Sequence, residues 1–235
     1  MLWDYDGTIV DTQPIWMRVE QDIMASFGRE WTDEQALAVV GTSGRAACQA
    51  MIAAIGDPNL DVDEMDMLRS RMVAEWVAAN TLSYRPGAQS LLDGCRAAGI
   101  PCALVSSSRR FVVAAGLSRM PDWFAVTLSG EDFAGQKPDP EGYLLAAERL
   151  GVRPEHCLVV EDSVSGCAAG LASGAAVLAV PCMTALDPVP GQVVRQSLAE
   201  VAVADLPAIV AEARASMMPR LGGGPTRRAL ASMMS

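Results

Sequence analysis

The chain reads as α/β: a parallel-sheet core with an α-helical bundle inserted just after the first strand. Three observations carry this. From Pro86 onward, short continuous apolar runs alternate with amphipathic stretches, the pattern of parallel strands joined by right-handed crossovers. From Gln13 to about Leu82 the periodicity is helical throughout, with no convincing strand. And the chain opens on a short apolar piece, Leu2-Trp3, that runs directly into Asp4-Tyr5-Asp6-Gly7.

Taken in order, Leu2 to Asp4 is the first strand. It is abrupt, since a parallel strand typically has about five residues. Either the strand is short, or the true start lies upstream of Met1; the sequence leaves both open. Next, Ile15, Trp16, Val19, Ile23 and Phe27 mark one helical face, with Gly28 as the stop. Thr32 with Gln35 forms a capping box for a helix ending near Gly41. Ser43 caps Gly44 to Ile55, and Asp61 with Glu64 opens the long amphipathic helix of Val62, Met65, Leu68, Met72, Trp76 and Val77. Four helices in a row read as a small bundle.

The core then resumes. Pro86 takes the first position of a helix running to Ala98. Ile100 to Val105 is a buried strand, Arg109 to Leu117 a helix, Phe124 to Leu128 a strand and Pro140 to Leu150 a helix. Cys157 to Val160 is a strand, Val164 to Ala172 a helix and Ala175 to Val180 a strand. A helix near Leu206 to Ala213 closes the fold. The expected division is 1–12 core, 13–82 inserted bundle, 83–214 core and 215–235 a disordered tail. In that tail Arg220, Arg227 and Arg228 surround Gly222-Gly223-Gly224-Pro225 without a single acid.

Composition narrows the function. The net charge of −10, from 18 basic and 28 acidic residues, speaks against nucleic-acid binding, which needs a basic face. None of the six cysteines forms a C-x-x-C pair, so zinc or dithiol chemistry lacks support, and reduced thiols suit a cytoplasmic protein. No basic-then-apolar leader is present. Ser163 to Leu186 is uncharged and long enough to span a bilayer. Its Ala, Gly and Ser content, broken at Gly174 and Pro181, fits a buried helix, a turn and a buried strand better than a membrane segment.

Polar groups fall at the ends of the apolar strands: Asp4 and Asp6 after the first, Ser106 after Ile100–Val105, Glu161-Asp162 after Cys157–Val160. Lys137 opens the loop before the Pro140 helix. Parallel strands place their carboxyl ends on one side, so these groups can converge. Taken singly, Ser106 could be a helix cap, Lys137 a surface lysine and the acids solvated. Together they make one chemistry. Two crowded carboxylates call for a cation, and magnesium prefers oxygen ligands. Asp4 would attack phosphorus and carry an aspartyl-phosphate, while Asp6 would handle the proton. Asp4, the Asp6 carbonyl and Asp162 would hold Mg²⁺, with Glu161 ligating weakly or through water. Ser106, Ser107 and Lys137 would bind phosphate oxygens.

Asp4-Tyr5-Asp6-Gly7-Thr8, Ser106, Lys137-Pro138 and Glu161-Asp162-Ser163 resemble, in order and spacing, the four motifs of the haloacid dehalogenase superfamily. The resemblance runs from Leu2 to about Leu206. It implies a Rossmann-like core, magnesium, an aspartyl-phosphate and a helical cap of the phosphatase and β-phosphoglucomutase-like branch. True dehalogenases lack the second acid of the first motif, so Asp6 argues for phosphoryl chemistry. Gln13 stands where many relatives carry Glu. Trp16 stands where mutases of the branch carry a histidine coupled to cap closure. Gly44 aligns with their cap arginine, leaving Arg45 and Arg109 as alternatives. The expected activity is therefore hydrolysis of a small soluble phosphomonoester such as a sugar phosphate. A phosphomutase is the alternative, and a non-catalytic binding protein on the same scaffold the third reading. Cap-side residues Trp16, Arg45, Arg109 and Trp76 would face the substrate.

Overall fold

A computed structural model describes residues 1–217. Its core is a six-stranded, all-parallel sheet in the order β3-β2-β1-β4-β5-β6. The strands are β1 (Leu2–Trp3), β2 (Ala103–Val105), β3 (Val126–Leu128), β4 (Leu158–Glu161), β5 (Ala176–Ala179) and β6 (Gln192–Val194). The helices are α1 (Gln13–Ser26), α2 (Asp33–Val39), α3 (Gly44–Ile55), α4 (Val62–Ala79), α5 (Ala88–Ala97), α6 (Arg110–Leu117), α7 (Glu141–Arg149), α8 (Val164–Ala172) and α9 (Leu206–Met217).

The sheet is buried on both faces, which is why its strands read as unbroken apolar runs. On one side Leu2, Ala103, Val105, Val159 and Val177 meet Tyr143 and Ala146 of α7 and Cys167 of α8. On the other Trp3, Leu104, Val160 and Leu178 meet Leu91 and Leu92 of α5 and Ile209 of α9. Alternate residues of one strand thus serve two cores. β1 lies at the centre, with Leu2 opposite Ala103 on one flank and Val159 on the other. Two residues suffice because Asp4 N–H continues the ladder to Val160 O at 3.0 Å.

Helices α1–α4 enclose a separate cluster that includes Trp16, Ile23, Met51, Met65 and Val73, to which α6 lends Val112. The chain leaves the sheet and returns to it through adjacent segments. Asp11 N–H bonds Ser83 O at 2.9 Å and Arg85 N–H bonds Ile9 O at 2.8 Å. Local chemistry sets the helix ends. Thr32 and Gln35 make the full reciprocal box, and Ser43 accepts from Ala46 N–H. Asp61 accepts from Asp63 and Glu64 N–H. The alanine-, glycine- and serine-rich stretch 163–186 holds helix α8, a turn at Gly174 and strand β5. Among the described residues no helix is long and apolar enough to cross a membrane. All six cysteines are free, five of them buried.

Several boundaries differ from expectation. Pro86 does not open a helix: α5 starts at Ala88 behind Gly87, whose φ of 85° breaks the helical path. A Cβ at Gly87 would sit 2.1 Å from Ala199 N, so the close approach of that backbone sets the turn. Glu161 is the last residue of β4 rather than the loop after it. β6 was not expected, because a three-residue edge strand opening on Gln192 carries little apolar signal. Residues 215–217, expected in the tail, continue α9, and the remainder of that stretch lies outside the described residues.

Candidate active site

Asp4, Asp6, Ser107, Lys137 and Asp162 line one cavity of about 270 Å³ at the carboxyl edge of the sheet. Asp4, Asp6, Ser107 and Asp162 come from strand ends or the turns just after them, and Lys137 from the loop that leads into α7. Its far wall comes from α1, α4, the turn between α2 and α3 and the start of α3, with Trp16, Glu20, Gly41, Arg45 and Asp66.

The buried centre is a charge cluster. Lys137 Nζ donates to Asp4 Oδ1 and to Glu161 Oε1, both at 2.6 Å, and to Val105 O at 3.2 Å. Asp4, Glu161 and Asp162 can each bring a carboxylate oxygen within 4.8 Å of the others. One lysine for three buried carboxylates leaves a deficit of positive charge, and burying uncompensated charge is costly. Burial accordingly pushes Asp4 up to about 7 despite Lys137, with Glu161 adding repulsion. Asp162 is raised as well, again mainly by burial and then by Asp4 and Glu161. The Lys137 ammonium is held charged because its two carboxylate partners outweigh burial.

The three acids differ in free capacity. Glu161 is fully buried and saturated: Lys137 and the Tyr143 hydroxyl donate to Oε1, while the N–H groups of Asp162 and Ser163 and the Ser163 hydroxyl donate to Oε2. Asp4 Oδ2 is buried without a hydrogen-bond partner. Asp162 Oδ1 accepts from Thr8 at 3.3 Å, and its Oδ2 lies where a Cβ on Gly7 would be, only 2.1 Å away. An orphaned carboxylate oxygen beside a second acid is a donor set for a hard cation. Gly7 is required twice, by that contact and by its φ of 85°.

Asp6 is fixed by donors from three directions. Thr12 Oγ1 and Trp16 Nε1 reach Oδ1 at 2.7 and 3.0 Å, and Ser108 Oγ reaches Oδ2 at 2.7 Å. Ser106 Oγ is more distant from Oδ2, at 3.4 Å, and accepts from Ser108 N–H at 3.0 Å, a turn that aims the following residues at the cavity. Arg109, which precedes α6, pairs with Asp66 of α4 at 2.6 Å. Arg45 lines the cavity but is largely exposed and paired with Asp63. Trp76 is not at this site; it faces a shallow outer groove between α1 and α4.

Sequence reasoning missed Thr12, Ser108, Tyr143 and the Glu20–Arg69–Asp66 group. Ser108 could have been suspected, since it lies three residues past the expected strand end at Val105, and Thr12 because it closes the polar loop that begins at Asp4. The others depend on packing between distant segments, as where the Tyr143 hydroxyl of α7 meets Glu161 at the end of β4.

A family model for haloacid dehalogenase-like hydrolase matches residues 1–180. The chain is 30% identical over 187 residues to the bifunctional riboflavin kinase/FMN phosphatase of Arabidopsis thaliana, covering 78% of this chain and 48% of that protein, so it spans about half the length of that relative. It is 30% identical over 214 residues to hexitol phosphatase B of Escherichia coli K12, covering 87% of this chain and 95% of that one. Among solved structures, a mutant of CbbY from Rhodobacter sphaeroides in complex with xylulose-(1,5)bisphosphate superposes with a TM-score of 0.77 at 26% identity, over 87% of this chain and 97% of that chain. With the motif residues gathered at one sheet edge and the family match running from the first strand through β5, the chain belongs to the haloacid dehalogenase-like hydrolases.

Proposed function

We propose that the protein is a Mg²⁺-dependent phosphatase of small phosphomonoesters that works through an aspartyl-phosphate on Asp4. The observation that carries this is the asymmetry of the Asp4 carboxylate. Lys137 holds Oδ1, while the buried Oδ2 has no partner and stands beside Asp162. The relatives named as phosphatases, and the sugar bisphosphate bound by the CbbY mutant, support a small phosphorylated carbohydrate as substrate.

Asp4 and Asp162, with the Asp6 main-chain carbonyl, would hold Mg²⁺, whose charge offsets that of the transferring phosphoryl group. Glu161 has no lone pair left for it and anchors Lys137 and the Asp162-Ser163 turn instead. Lys137 orients Asp4 and, with Ser106 and Ser107, binds phosphate oxygens. A carboxylate oxygen of Asp4 forms a bond to phosphorus as the bond to the leaving oxygen breaks, and Asp6 gives that leaving oxygen its proton. Asp6 then takes a proton from water as the water attacks phosphorus and releases Asp4. The donors on Asp6 keep it aimed at the cavity through both steps. Helices α1–α4, residues 13–82, act as a cap that excludes bulk water, with the paired segments at 9–11 and 83–85 as its stem.

Hydrolysis of a panel of sugar and polyol phosphates with Mg²⁺, against Asp4→Asn, tests this. Wild type should release phosphate, and the variant should fall by about 10⁴-fold, as nucleophile deletions do. Equal slow release by both proteins refutes the reading. Net conversion of a hexose 1-phosphate to the 6-phosphate, with a bisphosphate primer and no free phosphate, would identify a mutase instead.

A further inference from the structure

The wall of the cavity contributed by α1 and α4 is built of paired charges. Arg69 Nε donates to Glu20 Oε1 at 2.9 Å, and its Nη1 lies 3.8 Å from Asp66 Oδ1. Asp66 Oδ2 takes Arg109 Nε at 2.8 Å and Nη2 at 2.6 Å. Glu20 and Arg69 are buried and Asp66 nearly so, with 17% of its side chain exposed. A Cβ on Gly44 would come 2.6 Å from Asp66 Oδ1, so the missing side chain there makes room for this carboxylate. The Arg69 guanidinium also stacks 4.3 Å above the Trp16 ring, whose N–H holds Asp6.

A ring of contacts thus closes around the cavity. It runs from Asp6 through Trp16, Arg69 and Asp66 to Arg109, and back through the neighbouring Ser108 to Asp6. Asp66 stands between the two arginines of the ring, pairing directly with Arg109 and lying 3.8 Å from Arg69, whose own partner is Glu20. Every cation lining the cavity among the described residues is already paired: Lys137 with Asp4 and Glu161, Arg69 with Glu20, Arg109 with Asp66, and Arg45 with Asp63. The carboxylates there outnumber them. A second phosphate reaching the inner wall would have to displace Asp66 from Arg109 and would meet the Asp66 charge while doing so. A hydroxylated, uncharged leaving group meets no such penalty, and Gln13, Ser70 and Asp66 offer it hydrogen bonds.

We propose that Asp66 is a specificity-determining residue that selects by charge, admitting phosphomonoesters with a neutral polyol leaving group and rejecting those that carry a second phosphate. This rests on the phosphatase reading above and names its substrate class.

The test is kcat/KM for a matched pair, glucitol 6-phosphate and glucitol 1,6-bisphosphate, with p-nitrophenyl phosphate as a general substrate. Wild type should prefer the monophosphate by about tenfold or more. Asp66→Asn keeps the shape, frees Arg109 and should shift the ratio toward the bisphosphate by about 10- to 100-fold, the range of one or two charge-assisted hydrogen bonds. Asp66→Glu should keep the wild-type preference. Equal use of both compounds by wild type, or an unchanged ratio in Asp66→Asn, overturns the proposal while leaving the phosphatase reading intact. The wild-type ratio stands as a test even where a variant fails to fold. Turnover of none of the three compounds by wild type refutes the phosphatase reading, and the specificity with it.

Discussion

The indole N–H of Trp16, on the first helix after the acidic loop, donates to Asp6 Oδ1 at 3.0 Å and so couples the helical segment to the carboxylate proposed to move the proton. Trp16 is a positioning residue: it cannot itself exchange a proton at neutral pH, unlike an imidazole. Trp16→Phe removes the hydrogen bond and keeps most of the buried ring. The expected result is a fall in kcat of about tenfold or more, the value of one hydrogen bond to a charged group, with KM changed far less. Thr12 and Ser108 still hold Asp6, so the melting temperature should move little. A kcat equal to wild type would show that the contact does not aim Asp6.

Lys137 is the sole cation within hydrogen-bond reach of Asp4 and Glu161 among the described residues. Lys137→Met should lower stability by about 3–5 kcal/mol at pH 8, the cost of leaving buried charge unpaired. The loss should shrink at pH 5, where Asp4, already pushed up to about 7, is protonated. Urea midpoints at the two pH values measure it, and a pH-independent loss would mean that packing rather than charge is responsible.

Metal binding should depend on pH with a definite sign. In the metal-free protein Asp4 rises from 3.8 to about 7, and Asp162 also rises. A carboxyl group whose folded value exceeds its unfolded one adds stability at low pH, and that contribution is lost as the pH climbs through the folded value. The metal-free protein should therefore lose stability between about pH 4 and 7 from these two groups. A cation must displace their protons, so the rise in melting temperature caused by Mg²⁺ should be larger at pH 8 than at pH 5.5. Melting curves with and without Mg²⁺ across that range check it; a Mg²⁺ effect that is larger at pH 5.5 would contradict it.

Gly7→Ala should damage the proposed metal site more than the fold. The new methyl would stand 2.1 Å from Asp162 Oδ2 on a backbone at φ 85°. Strain of about 1–3 kcal/mol is expected from the backbone alone. The displaced Asp162 should weaken Mg²⁺ binding, seen as loss of the Mg²⁺-induced melting shift in a protein whose circular dichroism remains native.

Much of this arrangement was legible before any coordinates. Asp4, Asp6, Ser106 and Asp162 stand directly after apolar runs, and a parallel sheet brings such positions together by topology alone. The capping pairs Thr32–Gln35 and Ser43–Ala46 were readable because they are local. What was not legible depends on segments far apart in the chain. Arg109 and Asp66 are 43 residues apart and meet only because α4 packs beside the start of α6. Glu161 was read as an ordinary site acid, because saturation by five donors is a property of the folded interior. Pro86 misled because its usual place at a helix start was overruled by the contact of Gly87 with the 198–199 backbone.

The central position of β1 bears on how the molecule acquires its chemistry. Among the described residues it pairs with two strands, each more than a hundred residues further along the chain. Closing such large loops is entropically unfavourable until much of the polypeptide has been gathered, and topologies of this kind fold slowly for their size. Asp4 therefore gains its lysine and its companion acids in one late, cooperative event. Recovery of catalytic turnover during refolding should lag behind helix formation and coincide with burial of Trp3, so that a polypeptide ending short of residue 158 would carry the acidic loop yet have no chemistry to offer.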